Sequence, residues 1–388
     1  MLSQPGGVST GSVRDNIHVV SRADSETKGT VTTVRRAGKI TGRLTSFATD
    51  PVVTPRPHFR QFGPRQLNSA VLLPSWHDGA QPLPVLCDPY GGPHAQRVLQ
   101  TSNAHAVSQW FAELGYAVLV ADGRGTPGRG PQFERTVFGN LADPVLDDQI
   151  DALDAANVEF PFLDLGRVGI RGWSFGGYLA ALAVLRRPDR FHAALAGAPV
   201  TTWELYDTHY TERYLGRPAT NPEAYEASDL LRLPAQWNHE NTVPPLMLIH
   251  GLADDNVVAA HTLRLSSALL AAGLPHEVLP LTGVTHMTLQ EVVAENLLRL
   301  QADFLARALR PTPPTPIVPS PHHRTAANGT TASHPRPTRL DRRTRRMGQR
   351  GATHREGSGY SSQPRILLRH DRHRHGDGEL RHRTSDAR

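Results

Sequence analysis

The chain has 388 residues, a formal net charge of +6 and 38% hydrophobic residues, a low share for a chain folded throughout. Residues 311–388 carry 16 Arg against 6 acids, which leaves 26 basic and 30 acidic residues, a net of −4, in the part before them. The basic character therefore belongs to the tail, which argues against specific nucleic-acid binding by the whole protein. Cys87 is the single cysteine and excludes an intrachain disulfide. No run approaches 18 apolar residues, and the first residues lack a basic-then-apolar signal pattern. The expectation is a soluble, cytoplasmic protein with no membrane attachment; a homodimer stays open.

Residues 1–60 alternate in short pieces, Asn16 to Val20, Thr30 to Val34 and Thr54 to Phe59, separated by Gly and charged turns. They read as two or three strands, too few to bury a core, and so as the remainder of a larger β structure. From about Arg65 the pattern changes. Asn68 to Pro74 and Leu83 to Asp88 are strands, Asn103 to Leu114 a helix, Tyr116 to Ala121 a buried strand and Asp147 to Ala156 a helix. A strand beginning at Arg167 leads into Gly172-Trp173-Ser174-Phe175-Gly176, and Leu179 to Arg187 is helical, stopped before Pro188. Strands at Ala193 to Ala196, Leu246 to His250 and Glu277 to Leu281 alternate with helices at His261 to Ala272 and Leu289 to Ala308. This alternation predicts an α/β fold, a doubly wound and mostly parallel sheet with helices on both faces. The expected divisions are 1–60, 61–310 and 311–388.

From Pro311 the composition turns to Pro, Arg, His, Ser and Thr without apolar periodicity, which predicts disorder. Its eight histidines are not set with carboxylates or cysteines at ligand spacing, so no metal site is expected there.

The stretch from Arg167 to Tyr178 organises the rest. Gly172-x-Ser174-x-Gly176 between a strand and a helix is the nucleophile-elbow pattern. A serine on that turn projects its Oγ clear of the sheet, and flanking glycines let strand and helix backbones come close. A serine nucleophile needs a base and an orienting carboxylate, in the chain order Ser, Asp, His in α/β-hydrolases. The strand Leu246 to His250 runs into Asp254-Asp255-Asn256, and the strand Glu277 to Leu281 into His286. His286 is the expected base, with His250 as a structural rival. Asp254 is the expected carboxylate, Asp255 being the alternative or a cap of the following helix.

These residues resemble the catalytic half of the prolyl oligopeptidase family and, within it, the dipeptidyl peptidase IV branch. The matching pieces are Tyr90-Gly91-Gly92-Pro93, Asp122-Gly123-Arg124-Gly125, the elbow through Tyr178, Ala198 to Glu204, Tyr210 to Tyr214, and His250 to Val257. They lie within about Leu67 to Leu305. The resemblance implies an α/β-hydrolase fold and a serine peptidase that cuts short peptides after Pro or Ala, with no cofactor. It implies an oxyanion hole from the Tyr90 hydroxyl and the Phe175 N–H. It also implies a proline pocket lined by Val200, Trp203, Tyr206, Tyr210 and Val257, with Asn256 and Arg124 near the substrate backbone. On spacing alone, Trp203, Tyr206 and Tyr210 read rather as the core stripe of one helix.

One departure bears on specificity. The family carries a β-propeller ahead of the hydrolase, with paired glutamates that hold the substrate's amino group. The expectation is that only the first 60 or so residues here belong to such a propeller, and the chain has no Glu-Glu pair. The rival readings are an acylaminoacyl peptidase or esterase on the same triad, or an inactive truncated relative that only binds.

Overall fold

The computed structural model describes residues 6–27, 29–49 and 51–310. The expectations for the tail after residue 310 lie outside them.

Four strands come first: β1 (Val8–Arg14), β2 (Ile17–Ala23), β3 (Val31–Arg36) and β4 (Lys39–Leu44). They form one antiparallel meander in the order β1-β2-β3-β4. β1 and β4 were not expected, since Val8 to Arg14 and Lys39 to Leu44 carry few apolar residues to alternate. Turns with positive φ at Asp15, Ala37 and Gly38 reverse the chain between them. The sheet buries little: Val20 and Thr33 are its only buried residues among those described, and Val13, Ile40 and Leu44 are exposed.

The second sheet has eight strands: β5 (His58–Phe62), β6 (Leu67–Leu72), β7 (Leu83–Cys87), β8 (Ala117–Asp122), β9 (Leu163–Trp173), β10 (Ala193–Gly197), β11 (Leu246–Gly251) and β12 (Glu277–Leu281). Their order is β12-β11-β10-β9-β7-β8-β6-β5. All pairs from β8 to β12 are parallel, whereas β5–β6 and β6–β8 are antiparallel. The division expected after residue 60 falls inside β5, because Phe59 pairs with Ala70 and Phe62 with Leu67 of β6. The boundary between the sheets therefore lies between Leu44 and His58.

The helices are α1 (Ala106–Glu113), α2 (Pro131–Arg135), α3 (Asp143–Glu159), α4 (Phe175–Arg186), α5 (Thr208–Leu215), α6 (Pro222–Ala227), α7 (Ala260–Ala271) and α8 (Glu291–Leu309). Period-2 alternation divides the sheet into two apolar faces. Val71, Val85, Cys87, Leu119 and Ala121 join the cluster built with α3, α4 and α7. Leu72, Leu86, Val118 and Val120 join the opposite cluster with α1 and α8. This is the doubly wound, mostly parallel α/β arrangement expected from the alternation of elements, and it fits the α/β-hydrolase fold that the resemblance implies.

The chain order reverses direction across the sheet at β7 and β9, with β8 added on one side and β10 to β12 on the other. Such a switch point opens a crevice at the carboxyl ends of the strands. Tyr90 follows β7 and Ser174 follows β9, so both sit at its mouth. Beneath it, Arg171 Nη1 donates to Asp88 Oδ1 at 2.8 Å and Arg97 Nη2 to Asp88 Oδ2 at 2.6 Å, an ion cluster that ties the two strand ends together.

No helix among the described residues is long and apolar enough to cross a membrane, and no group of three or more His, Cys, Asp or Glu there is placed to hold a metal.

Candidate active site

Ser174 stands between β9 and α4 with φ 60° and ψ −118°, a conformation that non-glycine residues rarely adopt. The turn holds because three glycines admit backbone where a Cβ would collide. A Cβ on Gly172 would lie 2.2 Å from the Gly176 carbonyl oxygen, one on Gly176 2.8 Å from that of Pro89, and one on Gly177 2.2 Å from that of Gly197. Ser174 N–H donates to Gly197 O at 2.8 Å, which pins the strained residue to β10. Phe175 opens α4, so its N–H has no acceptor within the helix and faces the turn.

Asp254 and His286 arrive on the loops after β11 and β12. These loops are laced together: Leu252 N–H donates to Leu281 O and Ala253 N–H to Val284 O, at 2.9 and 3.1 Å. Gly251 is required there, since a Cβ would meet Val284 O at 2.4 Å. Asp254 is buried, and its Oδ1 accepts the N–H groups of Asn256 and Val257 at 3.0 and 2.9 Å. Its other oxygen, Oδ2, is hydrogen-bonded to His286 Nδ1 at 2.7 Å. That bond fixes the tautomer with the proton on Nδ1 and leaves Nε2 as a base. Trp173 Nε1 donates to the His286 carbonyl at 2.7 Å, so the residue before Ser174 holds the histidine loop in place.

The two rivals separate clearly. Asp255 is exposed, and α7 begins at Ala260 after Ala259, so Asp255 caps no helix. His250 is buried, with Nε2 donating to Val257 O at 2.7 Å and Nδ1 bonded to Thr262 Oγ1 at 2.7 Å. Burial holds it below the ordinary histidine range, in keeping with a structural role.

Tyr90 is half-buried, its ring 5.9 Å from that of Phe175, and burial pushes its phenol up to about 12. The hydroxyl therefore stays protonated at working pH, and it has no hydrogen bond among the described residues. Close packing of Tyr90's loop on the elbow needs Gly92, where a Cβ would overlap the Phe175 ring at 2.3 Å.

An aromatic slot adjoins this point. Val200, Trp203 and Val257 are buried, and Tyr206 and Tyr210 half-buried. Trp203 and Tyr210 stack with centroids 6.0 Å apart and planes at 9°, and Tyr206 meets Tyr210 edge-on at 5.4 Å. The three do not lie on one helix: Trp203 is in a short 3-10 turn, Tyr206 is extended, and Tyr210 is in α5. Tyr206 Oη donates to Asn256 Oδ1 at 3.2 Å, leaving the Asn256 amide N–H groups free to donate. Arg124 does not join this group. Its Nε and Nη2 are engaged by the buried Asp148 and by the Pro144 carbonyl, so its guanidinium braces α3 against the loop after β8. The expectation that it meets substrate is corrected on that ground.

Two contributors were missed from sequence. Tyr214 continues the slot beyond Tyr210, at 5.1 Å, and His94 packs on Tyr210 at 5.2 Å while bonding Tyr214 Oη at 2.6 Å. The four-residue spacing of Tyr206, Tyr210 and Tyr214 was the available signal.

A buried histidine supports the slot wall. Thr201 N–H donates to His261 Nδ1 at 3.1 Å, so that nitrogen must be unprotonated. Burial depresses His261 to about 4. Between pH 6.5 and 4 the unfolded chain binds a proton that the folded chain refuses, so stability falls as pH drops through this window and levels off below it. The cost is about 3 kcal/mol at most. Denaturant midpoints taken from pH 7 to 4 should decline, and His261→Gln should flatten the decline; an unchanged slope in the variant assigns it elsewhere.

The chain is similar to several known proteins. Mouse (Mus musculus) dipeptidyl peptidase 8 is 41% identical over 197 residues, covering 48% of this chain and 21% of that protein. Human (Homo sapiens) prolyl endopeptidase FAP is 33% identical over 204 residues, covering 52% and 26%. The crystal structure of Porphyromonas gingivalis dipeptidyl peptidase 4 superposes with a TM-score of 0.71 at 28% identity, covering 79% of this chain and 44% of that one. The chain thus spans about a fifth to a quarter of the length of these curated relatives. The model of the prolyl oligopeptidase family matches residues 102–312, which include the elbow, the aromatic slot and both loops that carry Asp254 and His286. With more than half of its length matched in this way, the chain belongs to the prolyl oligopeptidase family.

Proposed function

We propose that this chain is a serine peptidase that hydrolyses peptide bonds after proline or alanine near the amino end of short peptides, through an acyl-enzyme. The observation that carries the proposal is the 2.7 Å Asp254–His286 hydrogen bond, made between loops that flank the strained Ser174 turn. Ser174 Oγ attacks the scissile carbonyl as His286 Nε2 takes its proton. The developing oxyanion is met by the Phe175 N–H and the Tyr90 O–H, a pair of donors of the kind worth about 2.7–4 kcal/mol each in barrier. His286 then protonates the leaving amine, and water, activated by the same nitrogen, releases the acyl group. Asp254 holds the imidazole and stabilises its charge without taking the proton. No step calls on a cofactor.

A flat pyrrolidine fits between Trp203, Tyr206 and Tyr210 over Val200 and Val257, a slot without a charged wall. Asn256 would donate to a substrate carbonyl. We infer further that β1–β4, four antiparallel strands in one small sheet, is a blade of a β-propeller, since blades of that family of folds have four strands.

The test is a panel of Xaa-Pro, N-acyl-Ala and short-chain ester substrates. The Xaa-Pro amides should have the highest kcat/KM, by roughly tenfold or more, as expected when one ring-sized apolar group fits a pocket. A higher value for the acyl-Ala substrate or the ester would replace this reading with an acylaminoacyl peptidase or an esterase.

A further inference from the structure

A cavity of about 890 Å³ opens beyond the aromatic slot, lined by His94, Gly125, Pro127, Glu134, Arg135, Phe138, Arg213 and Tyr214. It shares a wall with the slot, because Tyr214 and His94 both pack on Tyr210. Its lining comes from the loops after β7 and β8, from α2 with the turn after it, and from α5. None of it comes from the loops that carry Asp254 and His286. The leaving amine must lie beside His286, which gives it a proton, so this cavity is on the acyl side of the scissile bond. The substrate residue that precedes the one in the slot is the nearest group able to enter it.

The charge of the cavity is uneven. Arg135 and Arg213 are exposed, and neither forms an ion pair with a carboxylate among the described residues. Glu134 is the one acidic lining residue. It is half-buried and turned back to accept the Gly128 N–H at 3.3 Å. Arg213 is the stronger influence where the cavity meets the slot. His94 is held below the ordinary histidine range by burial first and by Arg213 second, with Glu134 opposing more weakly. At Tyr214, burial raises the phenol, and Arg213 counters it more strongly than Glu134 adds to it. The cavity is thus net positive, with two guanidinium groups that make no ion pair with a carboxylate among the described residues, Arg213 lying against the Tyr214 side chain, and with Tyr214 and Phe138 in its lining.

We propose that this cavity is a subsite for an acidic side chain on the residue immediately before the slot residue, with Arg213 as the principal contact and Glu134 as the group that limits the preference. The proposal rests on the peptidase reading above. A guanidinium without a carboxylate partner is the natural receptor for a carboxylate, which it can meet through two parallel hydrogen bonds. A lysine side chain in the same place would meet Arg135 and Arg213 and be repelled.

The test separates binding from turnover. The full chain carrying Ser174→Ala is titrated by calorimetry with Asp-Pro amide, Ala-Pro amide and Lys-Pro amide in low salt. Asp-Pro amide should bind about tenfold more tightly than Lys-Pro amide, the order expected when a partly exposed attraction is replaced by a repulsion. The gap should shrink in 0.5 M salt through screening. Arg213→Gln in the same background should abolish most of it, Arg213→Lys should restore part, and Glu134→Gln should widen it. Equal binding of the three amides, a preference for lysine, no binding at all, or a gap indifferent to Arg213→Gln would each overturn the subsite. Turnover of Ala-Pro substrates by the unsubstituted chain is measured in parallel. Its absence counts against the peptidase reading and leaves the binding result to judge the subsite.

Discussion

Ser174→Ala is expected to abolish peptide hydrolysis, with a fall in kcat on the order of 10⁶, while the fold stays intact. The size follows from the way a nucleophile and its base act as one unit: once the attacking oxygen is gone, the base and the oxyanion donors retain only a small residual effect. The substitution removes a hydroxyl from a residue whose backbone, not its side chain, is anchored, through the 2.8 Å bond from Ser174 N–H to Gly197 O. The same residue should be the one phosphonylated by a fluorophosphonate, because only an activated serine reacts. Mass spectrometry after labelling checks both points. Labelling of another serine, or labelling that survives the alanine variant, would remove Ser174 from the role.

The second large effect is expected at Asp254. Asp254→Asn should lower kcat by roughly 10⁴. The carboxylate does two things in this structure: Oδ1 collects two backbone N–H groups, and Oδ2 takes the His286 Nδ1 proton. An asparagine can keep its carbonyl on the backbone pair, which preserves the loop. It then turns an N–H₂ toward His286 and forces the proton onto the other ring nitrogen, where the base is needed. Asp255→Asn is the control. Asp255 is exposed and has no hydrogen bond among the described residues, so its change should leave kcat near the parent value and stability within about 0.5 kcal/mol. Steady-state kinetics with melting curves for both variants decides. If Asp255→Asn were the slower enzyme, the roles of the two aspartates would be reversed.

Much of this molecule was legible before any coordinates. Strand-and-helix alternation from Asn68 to Ala308 fixed the fold class, because the period of apolar residues is a local property of the chain. The elbow was legible for a similar reason: Gly172, Gly176 and Gly177 sit where any Cβ would strike backbone, so close packing writes itself into residue type. The loops bearing Asp254 and His286 could be placed because each follows a recognisable strand. The four-stranded first sheet was only half visible. β1 and β4 bury almost nothing, and a strand without a buried face leaves no alternation to read. The start of the second sheet was misplaced for a related reason, since β5 is defined by its pairing with β6 and not by its own pattern.

Tertiary structure alone decided which side chains are free to act. Asp254 and Asp255 are neighbours of identical chemistry, and only the return of the β12 loop gives one of them a histidine. Arg124 lies within a stretch that resembles the family's, yet the approach of α3 delivers Asp148 to its guanidinium and takes it out of the site. Trp203, Tyr206 and Tyr210 fit the spacing of a helical core stripe, and the break between the 3-10 turn and α5 makes them a slot instead. The cavity beside Tyr214 could not be anticipated at all, because its walls come from segments more than a hundred residues apart, between His94 and Arg213. Periodicity, turn chemistry and crowding at glycine are local and survive in one dimension; partnership between charged and polar groups depends on which distant segments meet, and that is settled only when the chain has folded.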